Sequence, residues 1–250
     1  MDLELEGRHA VVTGGSKGIG LATAQLLAKE GCRVTLIARN RQALDEAAEL
    51  IGPAATGVAV DIADSAKLAD WFPKLDPVDI LVNNAGAVPA GDIATLPEAH
   101  WRSAWDLKVW GYINLTRMAL QQMSARNSGV IVNIIGVAGE RPRAAMIASA
   151  TGNAALMALT RAIGSTSIAN GVRVVGINPG MIQTERMEAY LRDQAETRWG
   201  DADRWRDLLD PTYLPGTPAQ IASLVAFLAS DLAGNISGTI VRADGGSRDR

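Results

Sequence analysis

Thr13-Gly14-Gly15-Ser16-Lys17-Gly18-Ile19-Gly20 joins an apolar, strand-like run, His9-Ala10-Val11-Val12, to a segment from Leu21 to Glu30 with helical periodicity. Glycines at 14, 18 and 20 permit a tight turn and a close backbone approach. The N–H groups that open the following helix then face whatever lies in the turn, an arrangement suited to a pyrophosphate. The competing reading is a glycine-rich surface turn without a ligand. The strand–turn–helix context near the N-terminus weighs against it. The Lys17-Gly18 pair does not make a nucleoside-triphosphate loop, because no Gly-Lys-Ser/Thr triplet is present.

Working outward, strand-like and helical patterns alternate along nearly the whole chain. Strands are expected at 9–13, 33–38, 56–60, 78–82, 129–135, 172–178 and 239–242, and helices at 18–30, 41–51, 64–72, 98–125, 149–168 and 217–230. Runs such as Ile80-Leu81-Val82 and Val130-Ile131-Val132 are apolar throughout, as strands covered on both faces require. The alternation predicts an α/β fold: a three-layer, doubly wound (Rossmann-type) parallel sheet of seven strands with right-handed crossovers. No linker, repeat or low-complexity stretch divides the 250 residues, so 1–250 reads as one domain. The long irregular insertion at about 183–213, rich in Arg, Asp, Trp and Met, is expected to be a lid.

The hydrophobic share is 48% and the formal net charge is −3, which supports a sizeable core and excludes a nucleic-acid-binding surface. No apolar stretch is long enough to span a bilayer, and Met1-Asp2-Leu3-Glu4 is no signal peptide. A cytoplasmic protein without membrane partners is the expectation. Cys32 is the only cysteine, and His9 and His100 are the only histidines, so neither a metal centre nor a Ser-His-Asp triad is expected.

Four further motifs follow the glycine turn in order: Asp61-Ile62, Asn83-Asn84-Ala85-Gly86, Asn178-Pro179-Gly180 with Thr184, and Ala243-Asp244-Gly245-Gly246. With them the chain resembles the short-chain dehydrogenase/reductase family over roughly residues 7 to 246. The glycine turn fits the family's Thr-Gly-x-x-x-Gly-x-Gly pattern. The resemblance implies that a nicotinamide dinucleotide is held by Gly14, Ser16, Lys17, Gly18, Ile19 and Gly20, by Asp61 and Ile62 at the adenine, and by Asn84, Ala85 and Gly86. It places Asn153, Pro179, Gly180, Ile182 and Thr184 beside the nicotinamide end.

The form of the cofactor turns on the end of the second expected strand. An acid there would hold the ribose hydroxyls of NAD. Here Ala38 occupies the place and Arg39 follows, with Asn40 and Arg41 beside it. A guanidinium can grip a 2′-phosphate through two parallel hydrogen bonds, and Lys17 offers a second cation. NADP(H) is therefore expected, against the reading of a solvated basic loop.

The reaction centre departs from the family pattern of Asn, Ser, Tyr and Lys. Counting from local anchors, the Ser position falls on Gly136, the Tyr on Ser149, the Lys on Asn153 and the Asn on Lys108. No tyrosine lies between Tyr112 and Tyr190, and no lysine follows Lys108, so sliding the frame does not restore the pattern. Two of the departures are reciprocal, since Lys108 stands for Asn and Asn153 for Lys. Lys108 is thus the candidate cation and acid, Asn153 a ribose ligand and Ser149 an orienting hydroxyl. The competing reading makes Lys108 an exposed helix residue.

A small-molecule substrate is expected near Met181, Met187, Tyr190, Trp199 and Trp205, with Met146 and Arg143 from the loop after the fifth strand, which suggests an apolar or aromatic compound. The two tryptophans read equally well as packing within the lid. Arg141, Arg143 and Arg186 would suit an anionic group or stand as solvated charges. Trp101 and Trp105 share a helix face and read as interface or core. The resemblance also implies a homodimer or homotetramer built on the helices at 98–125 and 149–168. The function expected is an NADP(H)-dependent oxidoreductase on a carbonyl/alcohol pair. The alternatives are a catalytically silent NADP(H)-binding sensor or regulatory subunit, and a non-redox enzyme such as a lyase.

Overall fold

The computed structural model describes residues 2–86 and 89–247, so Met1 of the acidic start lies outside the described residues. Seven strands, β1 (His9–Thr13), β2 (Arg33–Ala38), β3 (Ala55–Ala59), β4 (Ile80–Asn83), β5 (Gly129–Ile134), β6 (Val172–Pro179) and β7 (Ile240–Ala243), form one sheet in the order β3-β2-β1-β4-β5-β6-β7. Every pairing is parallel. Between them lie α1 (Gly18–Lys29), α2 (Arg41–Ile51), α3 (Ser65–Trp71), α4 (Glu98–Trp105), α5 (Gly111–Ser124), α6 (Ile147–Gly164), α7 (Glu185–Trp199) and α8 (Pro218–Ala229).

The apolar strands bury both of their faces. On one side Val12, Leu36 and Val82 pack with Ala24 and Leu27 of α1 and Val225 of α8. On the other, Val11, Leu81 and Ile131 pack with Leu68 of α3 and Leu115 and Ala119 of α5. Three layers result, and the strand order reverses between β1 and β4. That reversal leaves a crevice at the carboxyl ends of those two strands.

Two expectations need correction. The helix expected over 98–125 is interrupted, because Asp106–Trp110 forms a π-helical turn between α4 and α5. Such turns place one extra residue in the spiral and are common at functional sites. The 183–213 insertion is also not an irregular loop. Thr184 caps α7 by accepting from the Met187 N–H, Glu185 and Glu188 lie in the first turn, and Gly200 ends the helix in the left-handed region. A 3-10 segment, Ala202–Leu208, follows it. The charged composition hid the helix because its apolar face is narrow, with Leu191 and Ala195 buried against Trp205. Among the described residues no helix is long and apolar enough to cross a membrane, and no His/Cys/Asp/Glu cluster could hold a metal.

Candidate active site

The glycine turn and the segment after β4 are laced together at the crevice. The Thr13 hydroxyl accepts from the N–H groups of Asn84 at 2.8 Å and Ala85 at 2.9 Å. The Asn84 amide donates back to the Thr13 carbonyl at 2.9 Å and to that of Gly14 at 3.3 Å. A Cβ at Gly20 would fall 2.2 Å from the Gly14 oxygen and 2.6 Å from the Asn84 amide, so only glycine fits there. Gly14 and Gly18 carry positive φ angles of 63° and 57°.

A cleft of about 430 Å³ opens above this turn. Of the expected cofactor residues, Gly14, Ser16, Lys17, Gly18, Ile19, Arg39, Asn40, Ile62, Asn84, Ala85, Gly86 and Thr184 line it. Val60, Leu107 and Glu185 line it as well and were missed from the sequence, and Arg186, expected to suit an anionic group, lines it too. Gly20 stands behind the turn. Asp61 does not line the cleft, and its carboxylate accepts from the Ala63 N–H at 3.0 Å. Pro179 ends β6, Gly180 abuts Asp244, and the buried Ile182 packs under Gly216.

The cleft fits a phosphate-bearing dinucleotide. The opening of α1 faces it, and no acid follows β2. Arg39 is exposed and makes no hydrogen bond or ion pair among the described residues. Lys17 has only a loose contact of 3.9 Å with the exposed Glu185.

Lys108, Ser149 and Asn153 do not line the cleft; they stand behind its Gly86 and Leu107 wall, where two helices meet over the end of β5. Lys108, in the π-helical turn, donates from Nζ to the Ile135 carbonyl at 2.6 Å. Asn153, on α6, donates from Nδ2 to the next carbonyl, that of Gly136, at 3.2 Å. Lys108 and Asn153 thus reach adjacent peptide groups from opposite helices. The aliphatic stem of Lys108 packs at Gly86, where a Cβ would lie 3.0 Å from its Cδ. Burial, followed by the positive charge of Arg186, brings the Lys108 ammonium down to about 7. Asn153 Oδ1 is buried without a hydrogen-bond partner, an acceptor aimed at a donor the chain itself does not supply. Ser149, one turn earlier, is buried.

Gly136 adopts φ +115°, and its N–H donates to Asn178 Oδ1 at 3.2 Å. A side chain there would be strained and would press on the Asn153 amide at 3.2 Å. Tyr112 is fully buried, donates to the Ile134 carbonyl at 3.0 Å, and burial raises its phenol.

The expected aromatic substrate wall is corrected in part. Trp205 is buried with Leu191 and Ala195, and Met187 and Trp199 pack against that small core. The Trp199 ring is covered by the guanidinium groups of Arg198 and Arg204. Met181 and Tyr190 remain exposed.

Residues 8–195 match the family model described as short chain dehydrogenase. The chain is 34% identical to galactitol 2-dehydrogenase (L-tagatose-forming) of Cereibacter sphaeroides, over 97% of this chain and 95% of that one. Its fold is similar to that of L-sorbose reductase from Gluconobacter frateurii complexed with NADPH and L-sorbose, with a TM-score of 0.88, 30% identity and 98% of each chain covered. It is also similar to NAD+-bound xylitol dehydrogenase, with a TM-score of 0.87, 26% identity, and 97% and 100% of the two chains covered.

Proposed function

Since the chain belongs to the short-chain dehydrogenase/reductase family, we propose that it is an NADP(H)-dependent oxidoreductase on a carbonyl/alcohol pair, working through a rebuilt reaction centre. The observation that carries this is the convergence of Lys108 and Asn153 on the Ile135 and Gly136 carbonyls. The relatives named above act on alcohol/ketone pairs, with NADPH in one and NAD+ in another. The preference for NADP(H) rests on this chain's own Arg39 and Lys17, which line the cleft with no acid at the end of β2 and would meet a 2′-phosphate there.

When bound, the nicotinamide supplies or accepts a hydride. The protein supplies the rest. The glycine turn and the amino end of α1 hold the pyrophosphate. Asn153 Oδ1 accepts from a ribose hydroxyl, which satisfies its buried acceptor. Ser149 orients the substrate oxygen. In reduction, Lys108 gives a proton to that oxygen as the carbonyl becomes an alcohol. In oxidation its neutral amine takes the proton back. An ammonium near neutrality can do both, because its acidity matches the working pH. The protein is further proposed to work as a homodimer or homotetramer through α4, α5 and α6.

The test couples binding to turnover. NADPH and NADH are titrated by tryptophan fluorescence, and the Lys108→Met and parent proteins are then compared on carbonyl compounds by loss of nicotinamide absorbance. The expected outcome is tighter binding of NADPH than NADH, with turnover lost in Lys108→Met. Equal turnover in both proteins would remove Lys108 from the mechanism. Tight NADPH binding without turnover on a broad panel would favour the sensor instead.

A further inference from the structure

Arg186 stands in the first turn of α7, two residues after the cap Thr184, and lines the cleft. Among the described residues it makes no hydrogen bond and no ion pair. Its charge acts on Lys108 and on the Tyr112 hydroxyl, which hold the carbonyls of Ile135 and Ile134. The guanidinium therefore lies within electrostatic reach of the groups at the end of β5, in the same cleft that the glycine turn lines. The only acid lining the cleft among the described residues is Glu185, which is 86% exposed and faces Lys17. Two cations thus share the reaction end with no anion between them. Like charges held together disfavour each other, and an anionic ligand relieves the repulsion while gaining two partners.

Resting on the function proposed above, we infer that the substrate carries a carboxylate near its reacting carbonyl, and that Arg186 anchors it. A guanidinium binds a carboxylate through two parallel hydrogen bonds, which fix both distance and orientation. The substrate class is then the oxo acid/hydroxy acid pair. Lys108 faces the carbonyl oxygen and Arg186 the carboxylate. The apolar wall expected from the sequence is largely spent inside the lid, which leaves charge as the selective feature of this end of the cleft.

A cofactor phosphate shares the anionic chemistry, so the experiment separates the two. Rates of NADPH oxidation are measured with pyruvate, 2-oxobutanoate, 2-oxopentanoate and levulinate, and with the methyl ester of each. Calorimetry follows oxamate and malonate binding to the NADP+-saturated protein. The acids are expected to exceed their esters in kcat/KM by at least about tenfold, and oxamate or malonate to bind saturably. Arg186→Leu should collapse the acid-to-ester ratio by about 10–100-fold while changing the Kd of NADPH by less than about threefold. Arg186→Lys should keep part of the ratio, since it keeps the charge and loses the fork. Esters reduced as well as acids by the parent, or an absence of carboxylate binding to the NADP+ complex, would overturn the inference. So would a tenfold loss of NADPH affinity in Arg186→Leu with the ratio intact, which would make Arg186 a cofactor ligand. Failure of NADPH to bind the parent protein would instead strike the functional reading beneath it.

Discussion

A lysine ammonium that leaves water for a partly buried site loses hydration that one peptide carbonyl returns only in part. Lys108 is in that position, and the neighbouring Arg186 adds to the cost of its charge, so the ammonium is held at about 7. The sign follows directly. Reduction needs the protonated form, so its rate should fall as pH rises through the pKa of Lys108. Oxidation needs the neutral amine and should rise over the same range. Bound cofactor brings negative charge and moves the midpoint upward from about 7. Lys108→Met should cost on the order of 10²–10⁴ in turnover and abolish this pH limb, as loss of a general acid does. Stopped-flow rates across pH 5.5–9.5 (about four units) check it. At the other end of the cleft, Arg39→Ala should weaken NADPH by roughly 10–100-fold and NADH by far less, the measure of a charge-assisted pair with the 2′-phosphate. Equilibrium titration of both nucleotides checks that.

Elements set the spacing that these residues need. The π-helical turn between α4 and α5 aims Lys108 at β5, and a buried polar chain fixes the helices on either side of it. Asn83 of β4 donates to Asn133 of β5 at 2.9 Å and to Thr116 of α5 at 3.2 Å. Asn133 donates to Thr160 of α6 at 2.9 Å. Thr116 and Thr160 lie about two turns along from Lys108 and Asn153, so the chain ties both helices to the sheet beneath the reaction centre. Thr160→Val keeps the shape and leaves the Asn133 amide buried without an acceptor. It should cost about 1–3 kcal/mol in urea denaturation. Turnover should fall as well, although Thr160 touches no ligand.

At this scale the sequence was readable where periodicity is strong. The apolar strands appeared within a residue or two of their observed ends, as did α2, with Leu44 and Ala47 buried on one face. It was not readable where tertiary contacts decide. Nothing in Asp106-Leu107-Lys108-Val109-Trp110 marks an extra residue in the helical spiral. The cap and acidic first turn of α7 were available as local signals, but the helix buries only Leu191 and Ala195, and its partner Trp205 arrives from the following segment. The same limit applies to the site. Glycines and Arg39 announce themselves by type and position. The reach of Lys108 and Asn153 onto neighbouring carbonyls depends on how two helices cross, and the choice of Arg186 over Arg141 and Arg143 depends on the first turn of α7 lining the cleft.

For the whole molecule, the sheet order places the glycine turn, the segment after β4 and the end of β5 side by side at the carboxyl ends of the strands, and the first two open on a single cleft. Away from it, Trp101, Trp105 and Trp110 line a groove of about 420 Å³ with Ile93 and Leu96. The Trp105 indole is tied to the Ala148 carbonyl at 3.2 Å, while Trp110 remains 53% exposed. Small side chains of α6, Ala154, Ala155, Ala158 and Ala162, are exposed. The proposed homo-oligomer would cover that apolar groove. Trp110→Glu should therefore shift sedimentation from a dimer or tetramer towards a monomer. An unchanged oligomer would place the interface elsewhere.

The most direct test concerns the protonation of Lys108 and needs no substrate. The chain has five lysines, at 17, 29, 67, 74 and 108, so selective ¹³C labelling gives a spectrum in which each can be assigned by substitution. One resonance, absent from Lys108→Met, is expected to titrate at about 7 and to move when NADPH is added. If no lysine resonance titrates below about 9, or if the Lys108 signal ignores the cofactor, the rebuilt reaction centre is contradicted.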